Sequence, residues 1–120
     1  MDAEELKRRT KAFGLRVIKL VEALPHSRSS GAIGNQLLRA GTSVGANYRA
    51  AYRARSKAEF IAKASISIEE ADEALYWMEM LIEASIIPQE RLTALMQEAD
   101  ELIAILTASV KTAKNQSHRK

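Results

Sequence analysis

Apolar residues recur along the chain at spacings of three and four, the pattern of helices that bury one face. The first such seam consists of Leu6, Thr10, Phe13, Val17, Leu20 and Leu24. It predicts a helix over about residues 4–24, which Pro25 ends because proline cannot continue the backbone hydrogen-bond ladder. A polar loop follows, and Ser29 or Ser30 is expected to cap the next helix by accepting from its free N–H groups.

The second segment predicts a helix over about residues 31–54 with a buried face and a polar face. The buried face is formed by Ile33, Leu37, Val44, Tyr48 and Ala51. Gly34, Gly41 and Gly45 lie along its edge, although each glycine costs about 0.8–1 kcal/mol relative to alanine inside a helix. Because the three glycines share one side, we expect a neighbouring helix or a large side chain to approach closely there.

The third segment carries apolar residues on two sides. Ser56 and Glu59 match a capping box, in which the hydroxyl and the carboxylate each accept a backbone N–H, and this predicts a helix over about residues 57–86. Most of its apolar residues form a buried face, but a second group lies on another side among acidic residues. An exposed apolar group is typical of a subunit interface. The candidate interface residues are Ile66, Glu69, Glu73, Trp77 and Met80.

The fourth predicted helix covers about residues 88–114. Pro88 suits its first turn, where the missing N–H costs nothing, and the polar tail over residues 115–120 is expected to fray. No segment shows the alternation of a β-strand. Four long helices joined by short turns predict an all-α protein, an antiparallel up-and-down four-helix bundle that forms one domain over residues 1–120.

The composition excludes several classes of protein. The chain has 120 residues, of which 47% are hydrophobic and 28% charged, and these proportions are typical of a globular domain. The absence of cysteine excludes thiol catalysis, disulfides and thiolate metal sites. No apolar run is long enough to span a membrane, and the acidic first residues do not match a secretory signal, so a cytoplasmic location is the default prediction.

Residues suited to catalysis or metal binding are few. A di-iron bundle needs Glu-x-x-His pairs on two helices, whereas the two histidines, His26 and His118, fall in a predicted loop and in the tail. Serines within the helices have no neighbouring histidine that could act as a base. We therefore predict a non-enzymatic protein with no metal and no cofactor. His26 with Arg28 could contact an anion at a helix start, although an ordinary polar loop is the simpler interpretation.

Charge is distributed very unevenly along the chain. Residues 31–57 carry five bases and no acid, whereas residues 58–87 carry seven acids and one base. The candidate nucleic-acid-binding residues are Arg39, Arg49, Arg53, Arg55 and Lys57. Such a basic stripe can bind phosphates through charge-assisted hydrogen bonds. It can equally pair with the carboxylates of the third helix, in the same subunit or in the next, and both alternatives stay open.

Three stretches of the chain resemble a known family. They are residues 32–51 (AIGNQLLRAGTSVGANYRAA), 54–60 (ARSKAEF) and 73–77 (EALYW). They resemble the bacterial four-helix-bundle family of the 23S rRNA intervening sequence protein and, more distantly, the accessory protein of diversity-generating retroelements. The resemblance implies a ring, a homopentamer, with RNA or a nucleic-acid enzyme as partner, and it supplies no catalytic residues. Asn47, near Arg49 and Glu59, is expected to join a polar network.

Two functions are compatible with this pattern. The first is an oligomeric bundle that binds RNA or a ribonucleoprotein partner through the basic side of the second helix, so that the arginines of several subunits add by avidity. The second is a structural ring whose complementary charged surfaces join the subunits and which docks another protein. Because acids and bases are nearly equal in number, charge alone does not separate the two functions.

Overall fold

The computed structural model describes residues 1–117, which form four long helices and no strand. They are α1 (Ala3–Glu22), α2 (Arg28–Tyr52), α3 (Lys57–Glu83) and α4 (Thr93–Ser117), with a short 3₁₀ turn at Gln89–Arg91. Each helix packs against the next, and α1 also contacts α4, so the helices close into a bundle of 55 × 21 × 20 Å. The predicted all-α, antiparallel four-helix bundle is confirmed.

The core is a continuous apolar column between the helices. Its fully buried large side chains include Phe13, Leu37, Met78, Leu81, Leu102 and Leu106. Thr10, Ser30 and Ser67 are the buried polar residues of the described chain. The hydroxyl of Ser67 on α3 donates to the backbone carbonyl of Val44 on α2 at 2.7 Å. This hydrogen bond satisfies a donor that would be costly to bury alone, and it aligns α2 with α3.

Close contact between α1 and α2 explains the glycines of α2. A methyl group at Gly41 would lie 2.7 Å from both methyl carbons of Val17, and one at Gly45 would lie 3.1 Å from the backbone carbonyl of Thr10. Side chains larger than hydrogen would push α1 away at these positions. The predicted close approach along this edge of α2 is therefore found at Gly41 and Gly45, with α1 as the neighbouring element.

The helix α2 begins about three residues earlier than predicted. Its N-cap is Ser27, and neither Ser29 nor Ser30 takes that role. Ser27 has an extended backbone, and its hydroxyl accepts the N–H of Ser30 at 3.2 Å, so helical conformation starts at Arg28. Ser30 is then part of the first turn and is buried.

The helix α3 ends at Glu83, three residues before the predicted boundary. The N–H of Ile86 donates to the carbonyl of Leu81, and the N–H of Ser85 donates to the carbonyl of Ile82, both at 2.9 Å. Ser85 adopts the left-handed conformation with φ of 58°. This is the Schellman arrangement, which satisfies the last carbonyls and prevents the helix from continuing.

The sequence predicts Pro88 in the first turn of the fourth helix, but Pro88 instead precedes the 3₁₀ turn as its N-cap. Its backbone is extended, with ψ of 146°. The chain then bends so that Leu92 is fully buried, and α4 starts at Thr93, whose hydroxyl donates to the carbonyl of Gln89 at 2.9 Å. Burial of Leu92 at the end of the turn accounts for the late start of the helix.

The carboxyl end of α4 is longer than predicted. Residues 115–117 continue the helix, so α4 extends three residues beyond its predicted end. No glycine or proline interrupts this segment, and Lys114 lies in the last turn, where a cation interacts favourably with the helix dipole. Residues 118–120 of the predicted tail lie outside the described residues.

Of two predicted polar contacts, the Ser56 capping box forms in part and the Asn47 network does not form. The hydroxyl of Ser56 accepts the N–H of Glu59 at 3.1 Å, but no return bond from the Ser56 N–H to that carboxylate forms in the described chain. Asn47 donates through Nδ2 to the carbonyl of Ser43 at 2.9 Å and bonds neither Arg49 nor Glu59. The carbonyl four residues back in the same helix lies within easy reach of an asparagine, so the expected network is replaced by a bond inside α2.

Candidate nucleic-acid interface

A groove of about 420 Å³ lies between α1 and α2, toward the end of the bundle where α1 begins. Small residues of both helices line it, because the two backbones approach closely at this contact. Each helix also supplies two cations one turn apart, which gives the groove its positive charge. These cations are Lys7 and Lys11 from α1, Arg49 from the last turn of α2, and Arg53, which is the C-cap of α2.

Three of the four groove cations are electrostatically unpaired. Lys11, Arg49 and Arg53 have no carboxylate oxygen within 4.0 Å among residues 1–117. All three residues are exposed. Unpaired cations that share one concave surface create a local positive potential that attracts polyanions. These three residues are the strongest candidates for phosphate contacts.

The fourth groove cation, Lys7, is partly neutralised. Its Nζ lies 3.3 Å from Oε1 of Glu4 and 4.3 Å from the centre of the Tyr52 ring. The Tyr52 hydroxyl donates to the same Glu4 oxygen at 2.9 Å. The hydrogen bond from Tyr52, together with Lys7, lowers the pKa of Glu4, and the neighbouring carboxylate raises the pKa of Tyr52. Lys7 therefore adds less to the positive potential of the groove, because the carboxylate of Glu4 offsets its charge.

Arg39 lies outside the groove and is paired within the subunit. Its Nη1 lies 2.8 Å from Oε2 of Glu70, and its Nη2 donates to Glu73. Glu70 and Glu73 raise the pKa of Arg39, and the bond from Arg39 lowers the pKa of Glu73. Of the two alternatives left open by the sequence, the structure places Arg39 with the carboxylates of α3, so we no longer count it among the phosphate-binding residues.

The last two residues of the predicted basic stripe occupy the turn between α2 and α3. Arg55 and Lys57 are both exposed, and neither lines the groove. Lys57 instead borders a second hollow of about 570 Å³ between the start of α3 and the last turns of α4. The predicted stripe is therefore divided among three places, and only Arg49 and Arg53 share the groove.

Sequence reasoning missed the contribution of α1 to this site. Lys7 and Lys11 are four residues apart, which places them on one side of a helix, and this spacing was the available signal. Leu15 and Ile18 continue the same line along the groove and are 57% and 37% exposed. The groove thus combines cations at one end with exposed aliphatic side chains farther along.

The candidate interface on α3 is only partly exposed. Its exposed members are Ile66 and Glu69, and its half-buried members are Glu73, Trp77 and Met80. The indole N–H of Trp77 donates to Glu73 at 3.2 Å, so Glu73 bonds Arg39 and Trp77 at once. Tyr76, which was not predicted, is 51% exposed and meets the Trp77 ring edge-on at 4.9 Å between centres.

The rest of the described chain offers little catalytic chemistry. Within residues 1–117, no group of three or more His, Asp or Glu side chains is arranged to hold a metal ion. His26 lines a hollow of about 380 Å³ at the start of α2, but Arg28 does not, so the two residues of the candidate anion site are not brought together there. None of the described helices is both long and apolar enough to cross a membrane.

Comparison with known proteins identifies the family. The family described as 23S rRNA-intervening sequence protein matches residues 4–108. The chain belongs to this family. A crystal structure of a protein of unknown function from the S23 ribosomal protein family of Bacteroides thetaiotaomicron VPI-5482 is 33% identical, with a TM-score of 0.86. The match covers 92% of this chain and 99% of that one, and no curated protein matches.

Membership of the 23S rRNA-intervening sequence protein family confirms the resemblance carried by the second and third helices. The four groove cations all lie inside the matched residues 4–108, so the groove belongs to the family domain. The solved relative has no known function, and neither comparison assigns an enzymatic activity. The function proposed for this chain is therefore based on the groove.

Proposed function

We propose that this member of the 23S rRNA-intervening sequence protein family is a non-enzymatic cytoplasmic protein that binds RNA, or a ribonucleoprotein partner, through the groove between α1 and α2. The supporting observation is that Lys11, Arg49 and Arg53 share the groove with no carboxylate within 4.0 Å in the described chain. When unpaired protein cations neutralise phosphates, the counterions condensed on the nucleic acid are released into solution, and this release drives binding.

We also propose that the protein is a homo-oligomer, a pentamer as the resemblance implies, with α3 as the candidate interface. Ile66 and Tyr76 are exposed on α3, and the Tyr76 ring meets that of Trp77, which supports this because aromatic residues on a surface are commonly covered by a partner. Assembly would repeat the groove around a ring. Weak phosphate contacts on several subunits would then add by avidity.

The second candidate function is a structural ring held together by complementary charged surfaces. One observation favours it: acidic α3 exposes Ile66 and Tyr76, whereas the cationic groove exposes Leu15 and Ile18. The two surfaces are complementary in charge and both carry apolar residues. In this alternative a neighbouring subunit, and not RNA, would occupy the groove, and the ring would dock another protein.

Matched charge reversals separate the two functions. The groove variant combines Arg49→Glu and Arg53→Glu, and the control variant combines Arg16→Glu and Lys19→Glu. Arg16 and Lys19 are exposed and lie outside the groove, so both variants change the net charge equally. RNA binding is measured by fluorescence anisotropy over a range of salt concentrations, and the assembly by native mass spectrometry.

RNA binding predicts a clear difference between the variants. Three neutralised phosphates on a single strand give a log–log salt slope of about −2 for the unaltered protein. The groove variant should lose at least about tenfold in affinity while the assembly persists, and the control should lose much less. Equal losses in both variants, or a flat salt dependence, would refute the proposal. Dissociation of the assembly by the groove variant, with RNA binding absent from the start, would favour the structural ring.

A further inference from the structure

We infer that the groove takes a single-stranded segment of RNA, with its phosphates on the cations and its unpaired bases against Leu15 and Ile18. The inference rests on the proposed function and specifies its ligand. It depends on a feature that phosphate binding alone leaves unexplained, the aliphatic part of the groove.

The aliphatic residues continue the line of cations along α1. Residues 7, 11, 15 and 18 follow at helical spacings, and all four line the groove. Leu15 is among the most exposed large apolar residues of the described chain. Any ligand that fills the groove must therefore present negative charge at one end and apolar surface at the other.

A single strand meets both requirements, whereas a duplex meets one. In a duplex the bases are stacked and paired inside, so a protein surface encounters phosphates and sugars. The aliphatic side chains would then face polar groups without gaining apolar contact. Bases of a single strand are free to turn toward the protein, and single-strand binding sites combine a positively charged groove with aromatic side chains on which the bases stack. In this groove the aliphatic side chains of Leu15 and Ile18 would provide the apolar contact instead.

The arrangement of the cations also suits one strand. Arg49 and Arg53 are separated by one helical turn, as are Lys7 and Lys11, which places each pair about 5–6 Å apart at Cβ. Such a pair can contact consecutive phosphates of one backbone. The volume of about 420 Å³ lies in the range of sites that enclose a small organic group, such as a nucleobase with its ribose.

The test compares single-stranded and duplex RNA on matched aliphatic variants. The probes are a mixed-sequence RNA of about 12 nucleotides and the same strand paired with its complement. The variants are Leu15→Ser, Ile18→Ser and the control Ile66→Ser. Ile66 is 38% exposed, which matches the 37% of Ile18, but it lies on α3 away from the groove. Circular dichroism verifies that each variant is folded.

The readout is the ratio of single-strand to duplex affinity, compared among variants for which native mass spectrometry gives the same assembly as the unaltered protein. We expect Leu15→Ser and Ile18→Ser each to weaken single-strand binding about fivefold and to leave duplex binding unchanged, because only unpaired bases lose apolar contact. Ile66→Ser should leave the ratio unaltered. An unchanged ratio in the groove variants, with RNA still bound, would overturn the inference while the proposed function stands. Binding of an acidic Glu/Leu helical peptide and of neither RNA would overturn both.

Discussion

Because α1 and α2 are in close contact, replacing glycine by alanine should raise the free energy of unfolding at some positions and lower it at others. In an unobstructed helix the change is favourable by about 0.8–1 kcal/mol. A methyl group at Gly31 would have no atom within 4 Å, and one at Gly14 would meet its nearest atoms at 3.5 Å, an ordinary contact. We expect Gly31→Ala and Gly14→Ala each to raise the free energy of unfolding by about 0.5–1 kcal/mol.

Gly41→Ala is expected to lower the free energy of unfolding instead. The new methyl group would lie 2.7 Å from both methyl carbons of Val17, a fully buried β-branched side chain with little rotational freedom. Overpacking of a core costs about 1–3 kcal/mol, and so severe an overlap belongs at the upper end. After the gain in helix propensity is subtracted, the net loss is about 1–2 kcal/mol.

Urea denaturation followed by far-ultraviolet circular dichroism measures these changes, at one fixed protein concentration because assembly contributes to stability. The double variant with Val17→Ala tests the cause of the loss. Removing the two methyl groups relieves only part of the overlap, because Cβ of residue 17 would still lie 2.9 Å from the new methyl group. The combined loss should be smaller than the sum of the single losses by about 0.5–1 kcal/mol. If Gly41→Ala is as stable as Gly31→Ala, the close contact of α1 and α2 is not what selects glycine.

Three further predictions concern single side chains. Ser85→Gly should raise the free energy of unfolding by about 0.5–1 kcal/mol, measured as a higher melting temperature, because glycine adopts the left-handed conformation without penalty; Ser85→Ala should not. Ser67→Ala should cost about 1 kcal/mol in urea denaturation, since it removes a buried hydrogen bond to Val44, and a neutral effect would contradict this. Arg39 lowers the pKa of Glu73, so the stability that Glu73 adds is present above the ordinary glutamate pKa of 4.5 and is lost as pH falls through the lower pKa of the folded state. Glu73→Gln should therefore destabilise by less than about 1 kcal/mol at neutral pH, and thermal unfolding in acid should show the difference disappear.

Helices were predictable from sequence because burial on one face imposes a local spacing, but their ends were not. The turn before α2 offers three hydroxyls, on Ser27, Ser29 and Ser30, and any of them is a chemically acceptable cap. The choice depends on which residue adopts the extended backbone, and Ser27 does so. Ser85 is similar, because a left-handed serine at a helix end carries no sequence signal comparable with glycine.

The groove was harder to predict because its residues come from two helices. Arg49 and Arg53 were found as part of a local basic pattern, whereas Lys11 is far from them in sequence and joins them only where α1 packs on α2. The glycines of α2 indicated that some element would approach, but not which one. Identifying it as α1 requires the tertiary contacts at Gly41 and Gly45.

The register of α2 against α3 explains why Arg39 is paired and the groove arginines are not. The bond from Ser67 to Val44 and the pairing of Arg39 with Glu70 set two antiparallel helices side by side. Residues of α2 beyond 44 therefore run past residues of α3 before 67, a segment with one acid, Glu59, and two lysines. The acidic run of α3 begins only at position 69, alongside the first half of α2. A chain of identical composition with those acids at the start of α3 would present them to the second half of α2, where the groove arginines lie, so position, and not the overall charge balance, leaves cations available for a ligand.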